Sequence, residues 1–227
     1  MPPRSIRAPH HAVHHPLFAR FYAAVSPALD QRAGLAAHRR ELVAGLSGRV
    51  IEIGAGNGLN FAHYPDTVSE VVAIEPEPRL RRLAREAAVR AGVPVDVVPG
   101  VAEALPVKSE AFDGAVLSLV LCSVRDQRRA LAELRRVLRP GGELRFLEHV
   151  RASGRTPATV QRALDRSVWP LVFGGCHTAR DTVAAIGAAG FELGEWRRLR
   201  IPERGLPMPT SPHVLGAATR PLETDGR

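Results

Sequence analysis

Val50-Ile51-Glu52-Ile53-Gly54-Ala55-Gly56-Asn57-Gly58-Leu59-Asn60 is the stretch that decides how this chain folds. An apolar run carrying one acid passes directly into three glycines at alternate positions, which is the pattern of a buried strand opening onto a ligand-holding turn. Glycine lets the backbone turn sharply and leaves bare main chain against which a ligand can lie, and a helix starting there would add unpaired N–H groups. A dinucleotide fingerprint places its third glycine three residues after the second. Gly58 follows Gly56 by only two, and position 59 is Leu, so the loop departs from that pattern.

About twenty residues on, Val71-Val72-Ala73-Ile74-Glu75-Pro76 forms a second apolar run ending in an acid. At the end of a strand in an open parallel sheet, Glu75 is placed to accept hydrogen bonds from a ribose diol. Further along, strands are expected at 95–98, 114–121 and 143–148, alternating with helices at 78–91 and 127–138 and a helix around Asn60. Arg139-Pro140-Gly141-Gly142 is expected to stop the second of these long helices. Upstream, 17–24 reads as a short aromatic helix and 35–46 as a helix with Arg39, Arg40 and Glu41 outward. The stretch 151–176 loosens before a helix at 178–189, and late strands at 195–201 and 213–219 flank a proline-bearing loop. Such alternation predicts an α/β fold, doubly wound around a mostly parallel sheet.

The 227 residues, 45% of them apolar, suffice for one domain with its own core. Boundaries are expected at a flexible tail over 1–16, one domain over 17–220 and a flexible tail over 221–227. No run approaches the ~20 apolar residues of a membrane span, and the N-terminus lacks a signal-peptide core. With only Cys122 and Cys176, no disulfide framework is expected and a reducing, cytoplasmic setting fits. The charge of +8 raises nucleic-acid binding. However, the basic residues are almost all Arg, interleaved with acids on helical stretches, so solvated helix faces are the better reading. His10, His11, His14 and His15 lack acidic or cysteine partners and read as a mobile cluster; no metal site is expected.

Taken together, the Gly loop, Glu75 and Leu134-Arg135-Arg136-Val137-Leu138-Arg139-Pro140-Gly141-Gly142 resemble the class I S-adenosylmethionine (SAM) dependent methyltransferases over residues 35–220. Leu121-Cys122-Ser123-Val124, Glu148-His149-Val150, Phe173-Gly174-Gly175-Cys176-His177 and Pro212-His213-Val214-Leu215-Gly216 are similar to the branch that includes the alkyl thiol S-methyltransferases. The resemblance implies a Rossmann-like seven-stranded sheet closed by an antiparallel C-terminal hairpin. It implies SAM as cofactor, held by Glu52, Gly54, Gly56, Gly58, Asn60, Glu75, Pro76, Leu80, Ala102, Glu103, Leu119 and Cys122. Two departures stand out. Val101 follows Gly100 where the family often has an acid for the adenine amine, which passes that contact to Ala102 and Glu103. The animal thiol methyltransferases carry a hydrophobic N-terminal anchor, whereas this N-terminus is polar and basic, so no membrane attachment is carried over.

Methyl transfer from a sulfonium needs the nucleophile held roughly 3–3.5 Å from the methyl, in line with the breaking bond. A thiol is already partly ionised at neutral pH, so a strong base is not compulsory. His149, at the end of the fifth strand, is the leading polar contact to the nucleophile, with His177 second; each reads equally as a structural histidine. Cys122 reads as a small apolar wall residue rather than a nucleophile. Phe18, Phe21, Tyr22, Trp169 and Phe173 are expected to form the walls and cover of a small-molecule pocket. The expected activity is methylation of a small molecule, a thiol first, by a monomer or homodimer without nucleic-acid partners. Methylation of oxygen, nitrogen or carbon on a natural product or quinone precursor, and a SAM-binding regulator without turnover, stand as alternatives. A nicotinamide reductase is disfavoured by the glycine spacing and the lack of Tyr-x-x-x-Lys.

Overall fold

A computed structural model describes residues 15–203 and 206–222. Seven strands form one sheet in the order β3-β2-β1-β4-β5-β7-β6. They are β1 (Gly48–Ile53), β2 (Val68–Ile74), β3 (Val95–Val98), β4 (Phe112–Ser118), β5 (Leu138–His149), β6 (Glu192–Arg200) and β7 (Pro212–Thr219). The pairs β1·β2, β1·β4, β2·β3 and β4·β5 are parallel, and β7 runs antiparallel to both β5 and β6. The expected doubly wound sheet with an antiparallel C-terminal hairpin is therefore present. The chain winds outward from β1 to β3, then returns to β4 on the other side of β1. That reversal opens a crevice at the carboxyl ends of β1 and β4.

Alternation along the central strands feeds two cores. On one face, Ile51, Ile53, Val72 and Ile74 pack with Leu131 and Leu134 of α4 (Gln127–Val137) and Ile186 of α7 (Thr182–Ala188). On the other, Val50, Val71 and Ala73 pack with Leu42 and Val43 of α2 (Leu35–Val43) and Ala84 of α3 (Pro78–Ala88). Both faces of the inner strands are apolar because both are covered by helices. α3 and α4 start where side chains cap them: Glu77 accepts from the N–H groups of Arg79 and Leu80, and Asp126 from that of Arg129.

Several expectations need correction. No helix forms around Asn60; the Gly loop leads through turns into a single 3-10 turn, Phe61–His63. Asn60 cannot cap a helix there because its side chain bonds Glu52 and Arg39. β4 stops at Ser118, since Leu119 takes φ 62. Arg139-Pro140-Gly141-Gly142 ends α4, yet it belongs to β5 rather than to a turn. The N–H of Gly141 donates to Arg220 O and that of Arg220 to Gly142 O, so the run is paired with the residue that follows β7. The loosened stretch holds α5 (Arg155–Asp165) and the short α6 (Trp169–Val172), whose exposed faces hid their period. The helix read at 178–189 begins at Thr182, capped by Asp181.

At the N-terminus, α1 runs from Pro16 to Arg32, twice the expected length. Most of the tail read over 1–16, including His10, His11 and His14, lies outside the described residues, as do residues 223–227 of the C-terminal tail. Arg39, read as outward, is buried: its guanidinium bonds Asp30 on α1 at 2.6 Å, Asn60 Oδ1 at 2.9 Å and Ser118 Oγ at 2.9 Å. One fork thus ties α1, the Gly loop and the end of β4 together. Among the described residues, no helix is long and apolar enough to cross a membrane.

Candidate active site

A cleft of about 610 Å³ opens at the switch point between β1 and β4. Its floor is the Gly loop. Gly54, Gly56 and Gly58 take φ of 64°, 58° and 79°, a region that penalises side chains. A Cβ on Gly54 would lie 2.7 Å from Val120, and one on Gly58 would lie 2.8 Å from both Ala87 and Phe61. At Gly56 the nearest atoms belong to the Tyr22 ring, at 3.4 Å. Much of the loop's N–H supply is spent internally: Gly54 and Ala55 donate to Ile74 O, and Gly58 to Ala55 O. The loop therefore presents backbone surface rather than an anion nest.

Glu75 lies beside the loop, almost fully buried, with Oε2 accepting from Gly56 N at 2.7 Å and Oε1 from Glu77 N at 2.8 Å. Burial pushes its carboxyl up to about 7 against those two hydrogen bonds. Each oxygen keeps a lone pair for a ligand hydroxyl. Pro76, Leu80, Ala102, Glu103 and Leu119 also line the cleft. Glu52, at the end of β1, does not. It sits under the loop, accepting from Tyr64 OH at 2.7 Å and Asn60 Nδ2 at 2.9 Å, and burial raises it to about 7. Glu52, Asn60 and Gly58 hold the loop's shape from beneath.

The cover comes from α1, α6 and the glycine strip that follows α6. Phe18 and Tyr22 face the cleft, whereas Phe21 is exposed. Burial raises the Tyr22 phenol, with the Arg39 cation opposing. Pro170, Leu171, Gly174 and Gly175 line the opposite lip, while Trp169 and Phe173 stack on each other at 4.0 Å outside the lining. A Cβ on Gly174 would strike the Phe18 ring at 2.6 Å, and one on Gly175 would lie 3.0 Å from Ser123 O. The two glycines let this strip thread between α1 and the turn after β4. His15, read as part of the tail cluster, lines the cleft instead.

Neither expected catalytic histidine reaches the lining. His149 is buried behind it, with Nε2 3.2 Å from Cys176 Sγ. Burial alone would lower its pKa, but the Cys176 hydrogen bond and the Glu148 charge outweigh it and the net direction is up. His177 Nδ1 lies 2.8 Å from Gly175 O, and its backbone N–H donates to Cys122 O. Cys122 is buried under the same turn. Glu148, read only as part of a motif, is fully buried, and its Oε1 accepts from the N–H groups of Val120 and Leu121. It pins the turn that follows β4. Ser118, Ser123 and Asp126 also line the cleft; as small polar residues in loops and strand ends they carried no pattern by which to find them.

Comparison with known proteins agrees with this architecture. Residues 51–146 match the family described as methyltransferase domain. The human thiol S-methyltransferase TMT1B is 33% identical over 182 residues, covering 78% of this chain and 73% of the relative. The ubiquinone/menaquinone biosynthesis C-methyltransferase UbiE of Syntrophotalea carbinolica is 31% identical, covering 73% of each chain. Among solved structures, the N-methyltransferase NodS of Bradyrhizobium japonicum, in complex with S-adenosyl-L-homocysteine, superposes with a TM-score of 0.62 at 19% identity. That superposition covers 84% of this chain and 86% of NodS. A parallel sheet with an antiparallel end and a glycine-floored cleft at its switch point define a class I SAM-dependent methyltransferase, and the chain belongs to that family. Within it, the resemblance runs to the branch of the thiol S-methyltransferases. SAM is the cofactor, and the cleft fits it: a floor that tolerates no side chain, a buried carboxylate with free lone pairs, and apolar walls.

Proposed function

We propose that the protein methylates a small thiol, using SAM as the methyl donor. When bound, the cofactor supplies an electrophilic methyl on a sulfonium sulfur. In this reading Glu75 accepts the ribose hydroxyls, Leu80 packs on the adenine with Ala102 and Glu103 at its edge, and Gly54 and Gly56 pass under the methionine end. Phe18, Tyr22 and Leu171 supply an apolar cover that excludes water from the acceptor.

The observation that carries the thiol assignment is how the cleft's carboxylates are already engaged. Glu75 accepts from Gly56 N and Glu77 N, Glu77 and Asp126 cap α3 and α4, and Glu103 accepts from Arg125 N at 2.8 Å. Each already holds backbone N–H groups, and in this reading the lone pairs left on Glu75 go to the ribose hydroxyls, so none of the four is assigned to the acceptor as a general base. An alcohol or amine cation needs one, whereas a thiol of pKa ~8.5 reaches its nucleophilic form near neutral pH unaided. The 33% identity to a thiol S-methyltransferase points the same way. The likeness to UbiE supports carbon methylation of a quinone precursor as the second reading. Two free cysteines fit a reducing, cytoplasmic setting, and the interleaved Arg and Glu of the helices fit a monomer or homodimer without nucleic-acid partners.

The test is a panel of thiols, phenols, amines and quinols incubated with methyl-labelled SAM across pH. Thiols should be methylated, with rates rising as each thiol ionises. Product from quinols, phenols or amines alone would end the thiol reading.

A further inference from the structure

Behind the cleft wall, three side chains that the methyl-transfer chemistry leaves unused converge from three separate segments. Cys122 follows β4, His149 ends β5 and Cys176 follows α6, and their ligand atoms all lie within 4.8 Å of one another. All three are buried. The His149 ring meets His213 edge-on, but its nitrogens are little used: Nε2 faces the Cys176 sulfur at 3.2 Å, and Nδ1 has no hydrogen-bond partner among the described residues. Two thiols and an imidazole form a donor set that selects a borderline-soft cation over magnesium or calcium. Zinc bonds of ~2.3 Å to sulfur and ~2.0 Å to nitrogen, at tetrahedral angles, put donor atoms about 3.5–3.8 Å apart. The cluster needs only shifts of about an ångström to meet that spacing. The partly buried Arg180 guanidinium, which donates to Leu121 O beside the cluster, favours the thiolate forms that bind a cation while adding a charge of the cation's own sign.

We infer that Cys122, His149 and Cys176 form a binding site for a zinc-type divalent cation that clamps the rim of the cleft. Two ligands adjoin cleft residues in the chain, Cys122 next to Ser123 and Cys176 next to Gly175. Binding would fix the Gly174–Gly175 strip against the turn after β4. The cation displaces the two thiol protons to solvent, forms two metal–sulfur bonds and one metal–nitrogen bond, and keeps a fourth position for water; no electron changes hands. In the metal-free protein hydrogen bonding from Cys122 and burial raise the Cys176 thiol, so metal and protons compete for the site. The inference is independent of which acceptor is methylated.

The test uses the untagged full chain, stripped with chelator and kept reduced with a phosphine, titrated with Co2+ and then Zn2+. One equivalent of Co2+ should raise an intense near-ultraviolet thiolate-to-cobalt band and the visible bands of a four-coordinate ion. Zn2+ should abolish both, release about two protons at a pH below the thiol pKa values and raise Tm. A Cys122→Ser/Cys176→Ser double variant should lose the charge-transfer band even though the N-terminal histidines remain, which separates this site from imidazole-only binding. Wild-type protein that shows no charge-transfer band at several equivalents of Co2+, or a double variant that keeps it, overturns the proposal.

Discussion

Glu75→Gln isolates the carboxylate that the cleft is built around. Glutamine preserves size, but its amide nitrogen must face one of the two backbone N–H groups that Glu75 now satisfies at 2.7 and 2.8 Å. It also turns an anionic acceptor for the ribose diol into a neutral one. Hydrogen bonds to charged groups contribute about 1.5–3 kcal/mol each, so losing the equivalent of one should weaken SAM and S-adenosyl-homocysteine by roughly ten- to a hundredfold. A second signature is pH. With the carboxyl raised to about 7, only about a tenth of the molecules carry the acceptor anion at pH 6. Wild-type affinity should then fall by about tenfold between pH 8 and pH 6, and the variant's should change far less. Glu52, also near 7 but beneath the loop, is present in both proteins, so the difference between the two profiles reports Glu75. Calorimetric titration with S-adenosyl-homocysteine from pH 6 to 8 measures both quantities. Equal affinities at pH 8, or parallel profiles, would refute the placement of Glu75 on the ribose.

Gly54→Ala should lower unfolding stability by about 2 kcal/mol or more, because φ of 64° penalises any side chain and the new Cβ would press on Val120 at 2.7 Å; denaturant unfolding checks this, and a neutral result would mean the loop can relax. Arg39→Met should cost about 3–5 kcal/mol by stranding buried Asp30, and Asp30→Asn in the Met background should recover part of it; chemical denaturation of the four proteins gives the coupling. The cofactor-free protein should be more stable at pH 5 than at pH 8. Glu52, Glu75 and Glu148 are each raised to about 7, so the folded state holds more protons than the unfolded one between about 4.5 and 7 and stability is lost as pH rises through that window. His213, lowered to about 4 by burial, and His63, also lowered by burial, oppose this, whereas His149, whose net direction is up, adds to it, and Tm across pH reads the balance.

How far the site could be read in advance depended on whether a residue's role was local. The Gly loop, the acid Glu75 at its strand end and the strand alternation act through backbone conformation or period within a few residues, so spacing along the chain marks them, whereas Leu80 comes only with the family resemblance. Arg39 looked like any exposed arginine in a charged helix, because its partners are 9, 21 and 79 residues away. His149 and His177 are read from their strand-end and loop positions as contacts to the nucleophile, yet neither lines the cleft, because which way each ring turns depends on side chains that local pattern does not encode.

Periodicity and glycine spacing by themselves determined an α/β sheet with a cofactor loop after β1 and an acid after β2, since both follow from backbone sterics within one strand–turn unit. Tertiary structure alone decided that Glu52 and Asn60 support the loop from below while Glu75 faces the cleft, that α1 and the Gly174–Gly175 strip cover it, and that Cys122, His149 and Cys176 meet. Most of these are contacts between segments far apart in the chain, and only the packing of both sheet faces brings such segments together.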